Sequence, residues 1–84
     1  MRIRAKINSL RHARLGLVIA KRVFSKAVRR NRIKRIIRND FRLNLDNLPS
    51  LDLVVQLFAE VEDTRLHLLL AHQFLLLERA KEFK

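Results

Sequence analysis

Residues 21–42 read KRVFSKAVRRNRIKRIIRNDFR, and the spacing within them decides the fold. Ile33, Ile36, Ile37 and Phe41 recur at intervals of three, four and eight, which is one face of an α-helix. At about 100° per residue, Asn31, Lys34, Arg35, Arg38 and Arg42 fall on the opposite arc, roughly 100° wide. Ten of the 22 residues are Lys or Arg, against one acid, Asp40. The helix has an oily side to bury and a densely cationic side to show. Function is to be read from the cationic side.

This charge arrangement works against the helix that carries it. Lys26, Arg29 and Arg30 crowd the first turns, where the macrodipole favours anions. Arg30, Lys34, Arg38 and Arg42 form a ladder at i, i+4, and each like-charge step costs about 0.2–0.5 kcal/mol. A run of mixed sign would be read as a solvated face. A one-signed run, placed against the dipole and held rigid by an apolar stripe, points to a polyanion. Guanidinium forks match phosphate oxygens bidentately, and Asn31 adds neutral donors and an acceptor. Asp40 falls near the apolar edge of the wheel, where the pattern supplies no role for it.

The totals agree. The 84 residues make one small domain, residues 1–84, with 49% apolar content and a formal charge of +11. Such a charge selects nucleic acid first and an anionic membrane surface second. It is also unevenly spread: residues 1–42 carry +14 and residues 43–84 carry −3. The first half is the electrostatic footprint, the second the scaffold. Aromatic residues for base stacking are scarce, with five Phe and no Tyr or Trp, so docking on folded backbone is favoured over reading single-stranded bases. The absence of cysteine excludes disulfides and thiolate metal sites. No run reaches the 18 or more apolar residues of a membrane span, and the basic N-terminus leads into no signal-type apolar segment, so a soluble cytoplasmic protein is expected.

Outward from the helix, residues 1–8 alternate, with Met1, Ile3, Ala5 and Ile7 on one face and Arg2, Arg4, Lys6 and Asn8 on the other. That is a half-buried strand whose basic face either keeps an edge soluble or touches RNA. Residues 9–13 are a link of hairpin length. Residues 14–21 form a second strand, where Gly16 marks a close backbone approach, a bulge or a loose spot. Ser25 is the expected N-cap of a helix over about 26–44, ended by Asn44, Asn47 and Pro49. Residues 51–58 read as a third strand, so the helix lies in a β-α-β crossover. Glu60, Glu62 and Asp63 follow in a loop, and Asp63 or Thr64 caps a second helix over about 64–82. In that helix Leu66, Leu70 and Leu77 share a face while Leu68 and Leu75 lie nearly opposite. The second leucine face wants a cover, for which a second copy of the chain is one answer.

Other chemistry is thin. His12, His67 and His72 lack metal-ligand spacing and read as surface histidines. Glu60, Glu62 and Asp63 read as a capping loop, with a hydrated Mg²⁺ as the rival. No nucleophile set or Gly-rich phosphate loop assembles. The chain does not read as a catalyst on its own.

The segment Arg29-Arg30-Asn31-Arg32-Ile33-Lys34-Arg35-Ile36-Ile37-Arg38 resembles the protein subunit of bacterial ribonuclease P, whose arginine-asparagine-arginine signature matches Arg30-Asn31-Arg32. Arg14-Leu15-Gly16-Leu17-Val18-Ile19 resembles that family's strand before the helix, and Lys21-Arg22 its basic pair. Phe41-Arg42 resembles the helix end, Leu48-Pro49 with Asp52-Leu53-Val54-Val55 the return to the sheet, and Asn8-Ser9-Leu10 with His12 its first hairpin turn. The likeness is specific over residues 8–55. It implies an α+β fold, a two-layer α-β sandwich in the order strand-strand-helix-strand-helix, with a left-handed crossover against the usual rule. It also implies partners: a large catalytic RNA, and the precursor tRNA whose 5′ leader that RNA removes. Hydrolysis would be done by Mg²⁺ ions held mainly by the RNA, with no cofactor or metal in the protein.

On this reading Asn31, Arg32, Lys34, Arg35 and Arg38 are the main RNA contacts, with Arg29, Arg30 and Arg42 beside them and Lys21, Arg22 and Lys26 at the edge. The sheet side approaches the leader. Family members usually begin with a helix that this chain lacks before its first strand, and that absence would leave Leu68 and Leu75 uncovered. They also often keep basic residues after the third strand, where this chain has Gln56-Leu57-Phe58-Ala59-Glu60. The rival reading is a small ribosomal-type RNA-binding protein with no processing role. DNA binding is disfavoured because no helix-turn-helix surrounds the basic helix, and a membrane-surface role because strands flank it.

Overall fold

The alternating N-terminal segment forms β1 (Arg2–Ile7), the run around Gly16 forms β2 (Arg14–Ile19), and the apolar run after Pro49 forms β3 (Leu51–Leu57). The basic helix is α1 (Ala27–Leu43), followed by a single 3₁₀ turn (Leu45–Asn47), and the leucine-rich segment is α2 (Asp63–Glu82). These elements come from a computed structural model that describes residues 1–82.

The sheet order is β1-β3-β2, with β3 antiparallel to β1 and parallel to β2. The β2-α1-β3 crossover is therefore present. The hairpin expected between β1 and β2 is not: β3 lies between them. The link over residues 8–13 instead steps across the start of β3, where the Asn8 amide donates to the Ser50 carbonyl at 3.2 Å. The Asn8 side chain, read from sequence as solvent-facing, organises this step. Its Oδ1 accepts from the Leu10 amide, while its Nδ2 donates to the His12 carbonyl and to Asp52 Oδ1. Gly16 marks no bulge. It pairs in regular register with Val54, and a Cβ built there would meet Val54 Cγ2 at 3.6 Å, an ordinary contact.

Strand alternation divides the sheet into two faces. Leu51, Leu53, Val55 and Leu57 of β3 point inward, with Leu15, Leu17 and Ile19 of β2 and Ile3 of β1 level with them. Both helices contribute to the same core: Ile33, Ile37 and Phe41 from α1, and Leu66, Leu70 and Phe74 from α2. The rings of Phe41 and Phe74 meet tilted, with centroids 6.4 Å apart. The result is the two-layer α-β sandwich. Phe24, in the turn before α1, and Leu48, after the 3₁₀ turn, close the core at the crossover's two ends.

Two cap assignments change. The N-cap of α1 is Lys26, not Ser25, and no side chain caps the helix. Asp63 is the first residue of α2 rather than its cap, because its carboxylate is turned toward α1. On α2, Leu68 remains 67% exposed and Leu75 46% exposed, so the second leucine face is uncovered.

Candidate nucleic-acid interface

Burial of Ile33, Ile37 and Phe41 fixes the rotation of α1 and so turns its other side to solvent. On that side Asn31, Lys34, Arg35, Arg38, Asn39 and Arg42 line an open groove of about 490 Å³. Four cations and two amides line it, and no acid does. Lys34, Arg38 and Arg42 stand about 6 Å apart along the helix axis, the rise of four residues. Asn39, which the charge pattern does not single out, accepts from Arg42 Nη2 through its Oδ1 at 3.1 Å. A second hollow of about 320 Å³, lined by Val28, Asn31, Arg32 and Arg35, continues the surface toward the helix start. Val28 is 82% exposed there, an apolar spot inside a charged surface.

The N-terminal turns of α1 are built differently. Arg29 shares the helix stripe of Ile33 and faces the sandwich. Its Nε and Nη2 donate to Glu60 Oε1 at 3.2 and 2.8 Å, its Nη1 to Asp63 Oδ1 at 2.7 Å, and its Nη2 also to the Val61 carbonyl at 2.6 Å. Only 28% of its side chain is exposed. These bonds hold the Arg29 guanidinium, through Glu60 first and Asp63 second, even more firmly protonated than usual. They push the Glu60 and Asp63 carboxyls below the ordinary carboxylate range. Arg30 is also tied inward, its Nη1 donating to the carbonyls of Phe24 and Ser25 at 2.7 and 2.9 Å. That fixes the turn entering the helix. Arg32 is intermediate: its Nε donates to Asp63 Oδ2 at 2.7 Å, but 64% of the side chain is exposed. Lys21, Arg22 and Lys26 are exposed along the turn and cap before α1.

The eleven residues singled out from sequence thus fall into three groups. Asn31, Lys34, Arg35, Arg38 and Arg42 share the groove. Lys21, Arg22 and Lys26 flank its approach, and Arg29 and Arg30 are committed to the protein itself. Arg32 lies between the last two roles. The reading of Glu60, Glu62 and Asp63 as a Mg²⁺ site does not fit, because Arg29 and Arg32 occupy two of the three carboxylates.

Asp40 also finds its role. It lies on the core-facing stripe and accepts across the helix pair, with its Oδ2 2.7 Å from His67 Nδ1. Arg29–Asp63 and Asp40–His67 therefore bracket the apolar α1–α2 contact. The signal for both was the helix period itself: residues 29 and 40 are in phase with Ile33 and Ile37.

A second cationic surface lies on the outer face of the sheet. Arg2, Arg4 and Lys6 of β1 stand opposite Gln56, Val54 and Asp52 of β3. Arg14 clamps Asp52 through two bonds of 2.7 and 2.8 Å. With help from Asn8, this holds the Asp52 carboxyl down at about 2. Beside it a hollow of about 320 Å³ is floored by Gly16 and Val54. Gln56 Oε1, on the same face, is buried without a hydrogen-bond partner.

The family model described as ribonuclease P matches residues 1–81. The chain is 47% identical over 68 residues to the ribonuclease P protein component of Pseudomonas putida, an overlap that covers 77% of this chain and 51% of that protein. It is 48% identical over 68 residues to the ribonuclease P protein component of Pseudomonas entomophila, again covering 77% and 51%. The chain spans about half the length of the curated relatives it matches. Among solved structures, the Thermotoga maritima RNase P protein in complex with 1-(4-fluorophenyl)-2-thiourea is similar with a TM-score of 0.75 at 32% identity, covering 92% of this chain and 76% of that one. The Staphylococcus aureus RNase P protein is similar with a TM-score of 0.76 at 27% identity, covering 83% of this chain and 67% of that one.

Proposed function

The chain belongs to the ribonuclease P protein family, and on that premise we propose that it is the RNA-binding component of a ribonucleoprotein endonuclease that removes the 5′ leader from precursor tRNA. The observation that carries the reading is the α1 groove, in which Lys34, Arg35, Arg38 and Arg42 meet Asn31 and Asn39 with no acid among them. A surface of that composition suits a backbone of phosphates: guanidinium forks take phosphate oxygens, and the amides donate and accept without adding charge. The α1 backbone, anchored by Ile33 and Ile37, presents these groups on a fixed frame, so docking has only their own side-chain freedom to remove.

Chemistry is assigned to the RNA partner, with Mg²⁺ held there in the cytoplasm. Among the described residues no cluster of His, Asp or Glu suits a metal ion. The protein's part is to neutralise phosphate repulsion, so that the RNA folds and grips its substrate at lower Mg²⁺. The outer sheet face, with Arg2, Arg4 and Lys6 beside the Gly16 hollow and the unpartnered Gln56 Oε1, is where the precursor's leader would approach. The exposed Leu68 and Leu75 offer a face to a second copy of the chain.

The test is reconstitution. The chain added to the catalytic RNA of a bacterial ribonuclease P should stimulate cleavage of precursor tRNA at low Mg²⁺. Binding without stimulation would assign it an RNA-binding role only, and absence of both would overturn the reading.

A further inference from the structure

Asp63 carries two arginines at once. Its Oδ1 accepts from Arg29 Nη1 and its Oδ2 from Arg32 Nε, each at 2.7 Å. The two arginines are not equivalent. Arg29 is an anchor, bound additionally to Glu60 and to the Val61 carbonyl. The Asp63 backbone opens α2, whose next buried residues, Leu66 and Leu70, are fully enclosed. The carboxylate is therefore held from two sides before Arg32 reaches it. Arg32 spends one donor on it, at Nε, and its terminal Nη1 and Nη2 have no protein partner among the described residues. Those two nitrogens are the end-on fork that takes a phosphate bidentately. Arg32 lines the Val28 hollow, which joins the main groove through Asn31 and Arg35.

We infer that Asp63 is a positioning residue for the RNA-docking surface: seated on Arg29, it holds Arg32 by one edge and leaves the other edge open at the groove's margin. This rests on the reading of that groove as the RNA site. Arginine has much rotamer freedom to lose on binding, and a tether at Nε removes part of it beforehand. Asp63 takes the Nε side, which leaves the end-on fork to a phosphate. The field of Asp63 opposes RNA, but it is shared between two cations in a salt-screened position, so the positioning effect dominates.

The experiment measures binding to the catalytic RNA of a bacterial ribonuclease P across 50–200 mM salt for Asp63→Ala, Arg32→Ala and the double variant. Asp63→Ala should weaken binding about three- to tenfold without steepening the salt dependence. In the Arg32→Ala background it should have no further effect. Asp63→Asn, which keeps the side-chain shape and an acceptor oxygen, should recover part of the affinity. Circular dichroism melts confirm that each variant folds. Tighter binding with a steeper slope would make Asp63 a competitor of phosphate and overturn the inference. So would unchanged affinity, or an undiminished loss without Arg32, which would mean that Asp63 acts only through the fold. Arg35→Ala serves as the separate arm. If it too leaves affinity unchanged, the groove reading itself fails, whatever Asp63 does.

Discussion

Arg29→Ala and Arg38→Ala remove the same unit of positive charge from the same helix, and they should do opposite things. Arg38 lines the groove and has no protein partner among the described residues. Its removal deletes two like-charge steps, to Lys34 and to Arg42, each worth about 0.2–0.5 kcal/mol. Stability should therefore stay the same or rise by up to about 1 kcal/mol. Binding should suffer, because one phosphate contact contributes about 0.9 to the slope of log affinity against log salt. Over the fourfold span from 50 to 200 mM salt, that slope is roughly a 3.5-fold difference. Arg29 is the reverse case. Its loss leaves Glu60, Asp63 Oδ1 and the Val61 carbonyl to water at a site where 28% of the arginine side chain is exposed. Solvent screens much of the pairing there, so the cost is about 1 kcal/mol. In a domain of this size that lowers Tm by about 4–8 °C. The slope should move by no more than a few tenths, since no phosphate contact is removed. Fluorescence anisotropy of labelled catalytic RNA at four salt concentrations, with thermal melts of each variant, reads both quantities. An equal loss of slope in the two variants, with an unchanged Tm for Arg29→Ala, would refute the division of α1 into an anchored end and a docking end.

Three further outcomes follow from the same geometry. Ile37→Ala empties a fully buried site between α1, α2 and the sheet, and should cost about 2–5 kcal/mol, seen as a lower urea midpoint at unchanged m-value. The Asp52 carboxyl, held by Arg14 and Asn8 at about 2 against an ordinary 3.8, contributes stability that is fully present above about pH 4 and is lost as pH falls toward 2. Glu60 and Asp63, also depressed, act in the same direction, and an acid titration of Asp52→Asn by circular dichroism should show a shallower loss than the parent chain. Gly16→Ala meets only ordinary contacts, 3.6 Å to Val54 Cγ2, and should raise stability by about 0.4–1 kcal/mol through the unfolded chain, measured as a higher Tm.

The elements were legible because their periods are local. The Ile33, Ile36, Ile37 and Phe41 stripe names a helix and its buried side within nine residues, and α1 has that side buried. Strand order was not legible. A link over residues 8–13 can join neighbouring strands or step over one, and the choice is made by pairing with residues 51–56, more than forty positions away. The site divides the same way. The groove residues other than Asn39 followed from the wheel, whereas the partners of Arg29 and Arg32 sit 31 to 34 residues later, around a loop that local patterns read as a cap.

The placement of the acids bears most directly on what α1 is for. From its sequence the helix carries a ladder of like charges, Arg30, Lys34, Arg38 and Arg42, that weakens it. In the folded chain the ladder is relieved at its first end. Arg30 is turned onto the Phe24 and Ser25 carbonyls, and its neighbours Arg29 and Arg32 are held by Glu60 and Asp63. The fold can bring carboxylates to this helix and does so over its first two turns. Asp40, farther along, is spent on His67 on the buried side rather than on the ladder. Lys34, Arg35, Arg38 and Arg42 keep an outward surface with no acid lining it. Selection for stability alone would spread the acids along the ladder, because each opposite-charge pair at i, i+4 stabilises a helix by a few tenths of a kcal/mol. Relief at the anchored end is what a helix needs when its remaining cations are to be neutralised from outside, by a partner's phosphates.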